Sequence, residues 1–187
     1  MANRNTQGFG LVPAGTLGGT PATAGQGKYK IDAGYGTTIY NGGAVASSAG
    51  YIVEGQGTDT PVLGVLNGIF YNAATTLKPT FANFYKQPIT PANSEDVDAF
   101  VYDNPQQLYV VATDATAAQS VYLETFDMNV SAGSDTTGKS SATLDIGDTS
   151  GDAASWRLLR SAEDPENDEN AAFRSVVVVA NLIELQS

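Results

Sequence analysis

The segment AFRSVVVVANLIEL at residues 172–185 contains four consecutive valines at positions 176–179. Valine is β-branched and favours extended strands over helices. An apolar run with no polar residue inside it is typical of a strand that is buried on both faces. We therefore expect residues 176–179 to form a central strand, around which the rest of a sheet is built.

Short runs of the same kind fill the chain before this segment. Roughly ten runs rich in Val, Tyr, Phe, Ile and Thr are bounded by Gly, Pro, Asn or Asp, and no convincing amphipathic helix separates them. This pattern predicts an all-β fold, either a single β-barrel or a β-sandwich. With 187 residues the chain has room for one well-packed domain, which we place at residues 28–187.

Residues 1–27 differ from the body in composition. They contain seven glycines, no acidic residue, and isolated apolar side chains at Phe9, Leu11, Val12 and Leu17. Glycine and proline at this density oppose a helix and weaken strands, so a flexible tail is one interpretation. The other, which we favour, is an extended N-terminal arm that becomes ordered by laying these apolar side chains on a neighbouring subunit.

The composition excludes several classes of protein. The chain has no His and no Cys, which removes the usual general base, the thiolate nucleophile and the common zinc ligands, and we expect no metal and no cofactor. No segment has the apolar length of a signal peptide or of a membrane span, so we expect a soluble protein made in the cytoplasm.

Charge is distributed unevenly along the sequence. The net charge is -11, and the acids are concentrated after residue 90, whereas the first 90 residues carry a small excess of Lys and Arg. An acidic surface repels phosphates, so direct binding of nucleic acid is not expected. Lys28 and Lys30 stand where the arm meets the body, and we expect them to face acidic loops of a partner.

Residues 133–140, GSDTTGKS, match the phosphate-binding pattern G-x-x-x-x-G-K-[ST]. A working phosphate loop follows a buried strand and opens a helix. Here the residues after Ser140 read SATLDIGD, which favours a strand and a turn, and Asp135 would place a carboxylate where phosphate should lie. We therefore interpret the segment as a surface hairpin loop.

Several acidic residues are close together in the sequence. The run at 163–170, EDPENDEN, lacks the spacing of an EF-hand, and we interpret it as a solvated loop rather than a calcium site. The pairs Asp96 with Asp98 and Asp145 with Asp148 have the residue types of a glycosidase, but nothing around them separates them from turn residues.

A series of short motifs runs along nearly the whole chain in a fixed order. They are Gly8-Phe9, Val12-Pro13, Leu17-Gly18, Tyr29-Lys30-Ile31, Leu63-Gly64-Val65 with Gly68, Val101-Tyr102-Asp103-Asn104-Pro105, Thr136-Thr137-Gly138-Lys139-Ser140, Leu144-Asp145, Leu158-Leu159 and Asn170-Ala171. In this order they resemble the capsid decoration, or cement, proteins of tailed bacteriophages. The sequence departs from that family at residues 41–45 and between Phe70 and Tyr85.

The resemblance implies a virion protein without catalytic activity on the capsid exterior, made in the host cytoplasm. Its implied partners are the major capsid protein and other copies of itself, arranged as a trimer or another symmetric cluster, with no membrane and no direct nucleic-acid contact. Two alternatives stay open. One is a receptor-binding or glycan-binding protein that uses Trp156 and exposed tyrosines, and the other is a glycosidase that uses an Asp pair.

Overall fold

The computed structural model describes residues 5–19, 25–55, 60–130, 133–147, 154–168 and 170–186. Within these ranges the chain is all-β, as the sequence predicts, with antiparallel sheets and no α-helix, and no sheet closes into a barrel. The strands are β1 Val12–Thr16, β2 Gly27–Ile31, β3 Ala44–Ser48, β4 Tyr51–Glu54, β5 Gly64–Asn72, β6 Pro79–Ala82, β7 Val97–Tyr102, β8 Gln107–Ala112, β9 Thr125–Phe126, β10 Met128–Asn129, β11 Thr143–Leu144, β12 Trp156–Ser161 and β13 Ser175–Ala180. Short 3₁₀ turns lie at Ala92–Ser94, Gln119–Val121 and Glu184–Gln186.

The valine run forms β13, which lies in the middle of sheet 1, in the order β1-β8-β13-β12-β9. Val176 and Val178 point into the first hydrophobic core, while Val177 and Val179, on the opposite face, are also buried. The prediction of a central strand buried on both faces is therefore confirmed. The inner face of sheet 1 packs on Val65 of β5, which joins this core to the second sheet.

Sheet 2 has the order β2-β7-β5-β3-β4, with β6 paired to the far end of β5. It is strongly curled, so that β4 at one end comes back into contact with β2 at the other. All five main strands supply side chains to a second core, including Ile31, Ile52, Leu66 and Val97. Curling lets one sheet bury an apolar face against itself and still offer residues of its other face to sheet 1.

The N-terminal segment is built into this fold. Leu11 donates its backbone N–H to the carbonyl of Gly42 at 2.8 Å, and its side chain lies in the first core with 1% exposure. β1 then pairs with β8 as an edge strand of sheet 1. The described part of the segment is thus ordered against the chain's own body, and its contact with a neighbouring subunit stays a prediction. Residues 1–4 and 20–24 of the predicted arm lie outside the described residues.

Glycines allow this segment to pass between two backbone stretches. A Cβ on Gly8 would clash with the backbone carbonyl of Ser141, and one on Gly10 would lie 2.8 Å from the carbonyl oxygen of Gly42. Gly10 also has φ +74°, a conformation that other residues adopt at a cost. A high density of glycine usually opposes regular structure. In this segment it permits close packing of backbone against backbone.

The burial of Leu11 predicts a large difference between two leucine substitutions in the same segment. Leu11→Ala should lower the free energy of unfolding by about 2 to 5 kcal/mol, because it leaves a cavity in the core. Leu17→Ala should change it by less than about 1 kcal/mol, since Leu17 is 43% exposed. Urea unfolding of both variants measures the difference, and equally small effects would mean that the segment does not pack on the body.

Alanine substitutions at two glycines separate the destabilisation caused by a steric clash from that caused by backbone conformation. Gly10 and Gly18 both have positive φ, but a Cβ on Gly18 would meet no atom within 4 Å. Both alanine variants incur the conformational cost of about 1 kcal/mol. Only Gly10→Ala adds a clash with backbone, so it should be the more destabilising of the two by at least about 1 kcal/mol. Thermal unfolding that ranks the two variants equally would contradict this packing.

Candidate functional site

The predicted contact residues of the arm fall into different environments. Leu11 is packed in the chain's own core and offers no surface to a partner, whereas Phe9 is half-buried. Val12 and Leu17 are 45% and 43% exposed. Leu17 donates its backbone N–H to the carbonyl of Gln106, which places it at the connection between β7 and β8. Val12 and Leu17 are therefore the two predicted anchors most available to another protein.

Lys28 and Lys30 lie together on the outer face of sheet 2. Both ammonium groups reach one carboxylate, that of Asp98 on the neighbouring strand β7, at 2.8 Å from Lys28 and 2.6 Å from Lys30. The side chains of the two lysines are more than half exposed, while that of Asp98 is nearly buried. The sequence predicts that these lysines face acidic loops of a partner. In the structure both of them pair with a carboxylate of the same chain, that of Asp98.

The same face carries an aromatic pair that the sequence did not single out. Across the strands β2, β7, β5 and β6, one row of paired residues reads Lys30, Asp98, Phe70 and Phe81. The rings of Phe70 and Phe81 lie 4.7 Å apart between centroids, and Phe81 is 74% exposed. A phenylalanine this exposed, packed against a second ring at an interplanar angle of 46°, forms an apolar surface open to solvent.

A cleft of about 430 Å³ opens beside Phe70. One wall is the end of β5, from Phe70 to Asn72, and the other is the turn at 91–96 that leads into β7. Lys30 and Asp98 also line it. At the rim, Asn93 and Ser94 have φ of +54° and +55°, two successive non-glycine residues in the left-handed region. We call this site the Phe70 cleft.

Hydrogen bonds fix the second acid of the cleft. Asp96 accepts from the hydroxyl of Tyr51 at 3.2 Å through one oxygen, and from the backbone N–H of Ala33 at 3.4 Å through the other. Asp96 and Asp98, which sequence reasoning considered as an acid and base pair, are thus held by different partners. Both carboxylates are therefore held in fixed positions at the edge of the cleft.

The other acidic candidates serve as turn residues. Asp164 accepts from the backbone N–H of Glu166 and Asp168 from that of Asn170, both at 3.0 Å. Asp145 does the same for Gly147, while Asp148 and Glu169 lie outside the described residues. In the part of the chain that the structure describes, no three His, Cys, Asp or Glu side chains are grouped to hold a metal ion.

Residues 133–140 connect the antiparallel strands β10 and β11. The N–H of Gly138 donates to the carbonyl of Ser134 at 2.6 Å, which closes a turn, and the chain enters β11 after Ser140 without forming a helix. Asp135 accepts from the Tyr40 hydroxyl at 2.7 Å and pairs with Lys86 at 3.3 Å. The prediction of a hairpin loop is confirmed.

Trp156 has no access to a ligand. It is 1% exposed in the first core, where its ring meets that of Tyr109 edge-on at 5.7 Å between centroids. A glycan-binding site built on Trp156 is therefore wrong for this fold. Among the described residues, no helix has the length and apolar character needed to cross a membrane.

Comparison with known proteins identifies no relative of this chain. The chain matches no protein-family model, no curated protein and no solved structure. The interpretation of function therefore depends on the geometry of these surfaces and on the order of motifs in the sequence.

The shared carboxylate predicts a pH-dependent contribution to stability. Burial alone would raise the pKa of Asp98, but hydrogen bonds from Lys28 and Lys30 lower it below the ordinary 3.8. A carboxyl whose pKa is lowered by folding stabilises the protein above its ordinary pKa, and loses that contribution as the pH falls through its folded value. Asp98→Asn should therefore lower the free energy of unfolding at pH 7 by about 1 kcal/mol, since the lysines are exposed and solvent screens the pairs.

Urea unfolding of the wild type and Asp98→Asn across acid pH measures this effect. The difference should shrink as the pH falls below the ordinary aspartate range, where Asp98 itself becomes protonated. Asp164→Asn is the matched control, because that side chain is exposed and asparagine can accept the same backbone hydrogen bond. A constant difference at every pH would contradict the assignment of the stabilisation to these ion pairs.

Proposed function

We propose that this chain is a non-enzymatic structural protein of a tailed-phage head, which binds the outer surface of the capsid lattice and bridges major coat subunits. The observation that carries the proposal is the order of short motifs from Gly8 to the valine-rich strand, which resembles capsid decoration proteins along nearly the whole chain. Each motif is short, and it is their order along the chain that supports the proposal.

The exposed side chains of the N-terminal segment support a protein contact. Val12 and Leu17 face solvent on a segment that is itself held by core packing at Leu11. Apolar side chains on a fixed backbone lose little conformational freedom on binding, which favours a specific interface. Gly27 pairs with Val101 near the same β7–β8 connection, so Lys28 lies toward the same end of the body as Leu17.

In this proposal the chain has two parts with different roles. Residues 1–27 form the arm, of which 5–19 lie on the chain's own body and present Val12 and Leu17 to the coat. Residues 28–187 contain the β-rich body, whose two larger sheets pack on each other in the manner of a sandwich, with β1 of the arm as the edge strand of one of them. The exposed acids after residue 90, which include Glu95, Glu124, Asp135, Glu163 and Glu166, face solvent on the capsid exterior and keep the particle surface soluble.

Bridging explains how such a protein would strengthen a shell. Each copy that touches two coat subunits adds an interface that must break before the subunits separate. Contacts repeated over a lattice reinforce one another, since partial release of one leaves the others in place. Self-association into a trimer or another closed cluster belongs to the same proposal, because it would multiply the contacts of each attachment.

Co-sedimentation with phage heads that lack this protein tests the proposal. Wild-type chain should pellet with the heads, and Leu17→Asp should weaken that binding by about tenfold or more, because it places a carboxylate in the apolar contact. Leu123→Asp is the matched control, since Leu123 is 64% exposed in a loop of the acidic half and should bind as wild type.

The possible results distinguish a failure of the proposed function from a failure of the proposed role of Leu17. Wild-type protein that stays in the supernatant at saturating head concentration would contradict the proposed function. Binding by wild type and equal binding by Leu17→Asp would retain the function and overturn the role of Leu17. Circular dichroism and urea unfolding of each variant confirm that the fold is intact.

A further inference from the structure

The Phe70 cleft has the shape and the mixture of side chains of a small-ligand site, and neither the capsid contact nor the core accounts for it. We propose that it binds a neutral saccharide. The cleft is about 430 Å³ in volume and open to solvent, which suits one or two sugar rings of a longer chain.

The walls of the cleft carry an aromatic surface next to hydrogen-bonding groups. The ring of Phe70 lines it, and the exposed ring of Phe81 extends that surface along the sheet. A sugar ring has an apolar face of C–H groups that packs on an aromatic ring, and an equator of hydroxyl groups that need polar partners. The two kinds of surface meet at Phe70.

Donors and acceptors for hydroxyl groups surround this ring. Lys30 and the amides of Asn72 and Asn93 can donate, and the carboxylates of Asp96 and Glu95 can accept. The side-chain amides of Asn72 and Asn93 make no hydrogen bond to another residue in the described ranges. A hydroxyl group both donates and accepts hydrogen bonds. A ligand with several hydroxyl groups therefore matches this mixture of donors and acceptors better than a ligand that has only donors or only acceptors.

Charge decides between a neutral ligand and an anionic one. Three carboxylates, those of Glu95, Asp96 and Asp98, line the cleft and repel an anion. The ammonium of Lys30 lies among them but is paired to Asp98, so it offers little attraction to an anion. The cleft therefore disfavours an anionic saccharide.

The polar groups are held in place before a ligand arrives. The two lysines fix Asp98, and Tyr51 and Ala33 fix Asp96. At the rim, Asn93 and Ser94 keep a left-handed backbone that is costly for non-glycine residues and that recurs at ligand sites. A site of this kind loses little entropy on binding.

This inference does not rest on the proposed capsid role. On β2, Lys28 pairs with Phe100 of β7, and Lys30 pairs with Asp98. Lys28 therefore lies two residues closer to the β7–β8 connection than Lys30 does. Val12 and Leu17 serve the coat contact, whereas Lys28 holds Asp98 at the edge of the cleft, which begins at Lys30. A chain attached to a capsid through the first set would leave the second set for a sugar on a cell surface.

A glycan array tests the inference with purified full-length chain and no capsid. The probes are neutral bacterial polysaccharides and neutral oligosaccharides of glucose, galactose, mannose and N-acetylglucosamine, with sialylated and sulfated glycans beside them. We expect binding to one or more neutral probes and none to the anionic set. Titration calorimetry with the strongest neutral probe then gives its affinity.

The variant Asn72→Ala with Asn93→Gly removes both free amides, and glycine retains the left-handed backbone at position 93. Its affinity should fall by about tenfold or more. Asn170→Ala, on an exposed loop of the second half, is the control and should bind as wild type. A wild type that binds no neutral probe, a preference for anionic glycans, or unchanged affinity in the double variant would each overturn the proposal.

Discussion

The passage of the N-terminal backbone between two loops is the interaction on which the rest of the fold depends. Gly10 donates its N–H to Ala142 and Leu11 donates to Gly42, so one short segment ties the loop of sheet 2 at 40–43 to the loop before β11. Leu11 then enters the core that the two sheets share. Because glycine has no Cβ, Gly8 and Gly10 let the backbones approach this closely.

This arrangement determines what the molecule can offer to a partner. With Leu11 used inside, residues 5–19 present Val12 and Leu17 as their exposed large apolar side chains, and they present them from a fixed backbone. The curled sheet places a second pair of exposed side chains, Lys30 and Phe81, in the same row of its outer face. A coat contact and a ligand cleft can therefore occupy separate parts of one small body.

The sequence predicts the β class and the central valine strand because a buried run leaves a direct pattern in the residue order. It also predicts that residues 133–140 form a hairpin loop, since the residues that follow cannot start a helix. It does not predict that Phe70 points away from the core. Asn67 forms a bulge in β5, which shifts the alternation of faces and turns Phe70 away from the core that holds Leu66. The role of Gly8 likewise depends on Ser141, far along the chain.

Hydrogen exchange of the isolated chain shows whether the N-terminal segment belongs to the folded body, and it requires no partner. We expect the amide of Leu11, bonded to Gly42 at 2.8 Å, to be protected to a degree similar to the amides of the central strand β13. If the amide of Leu11 exchanges at the rate of an unstructured peptide while β13 stays protected, the glycine-rich segment is not part of the folded body.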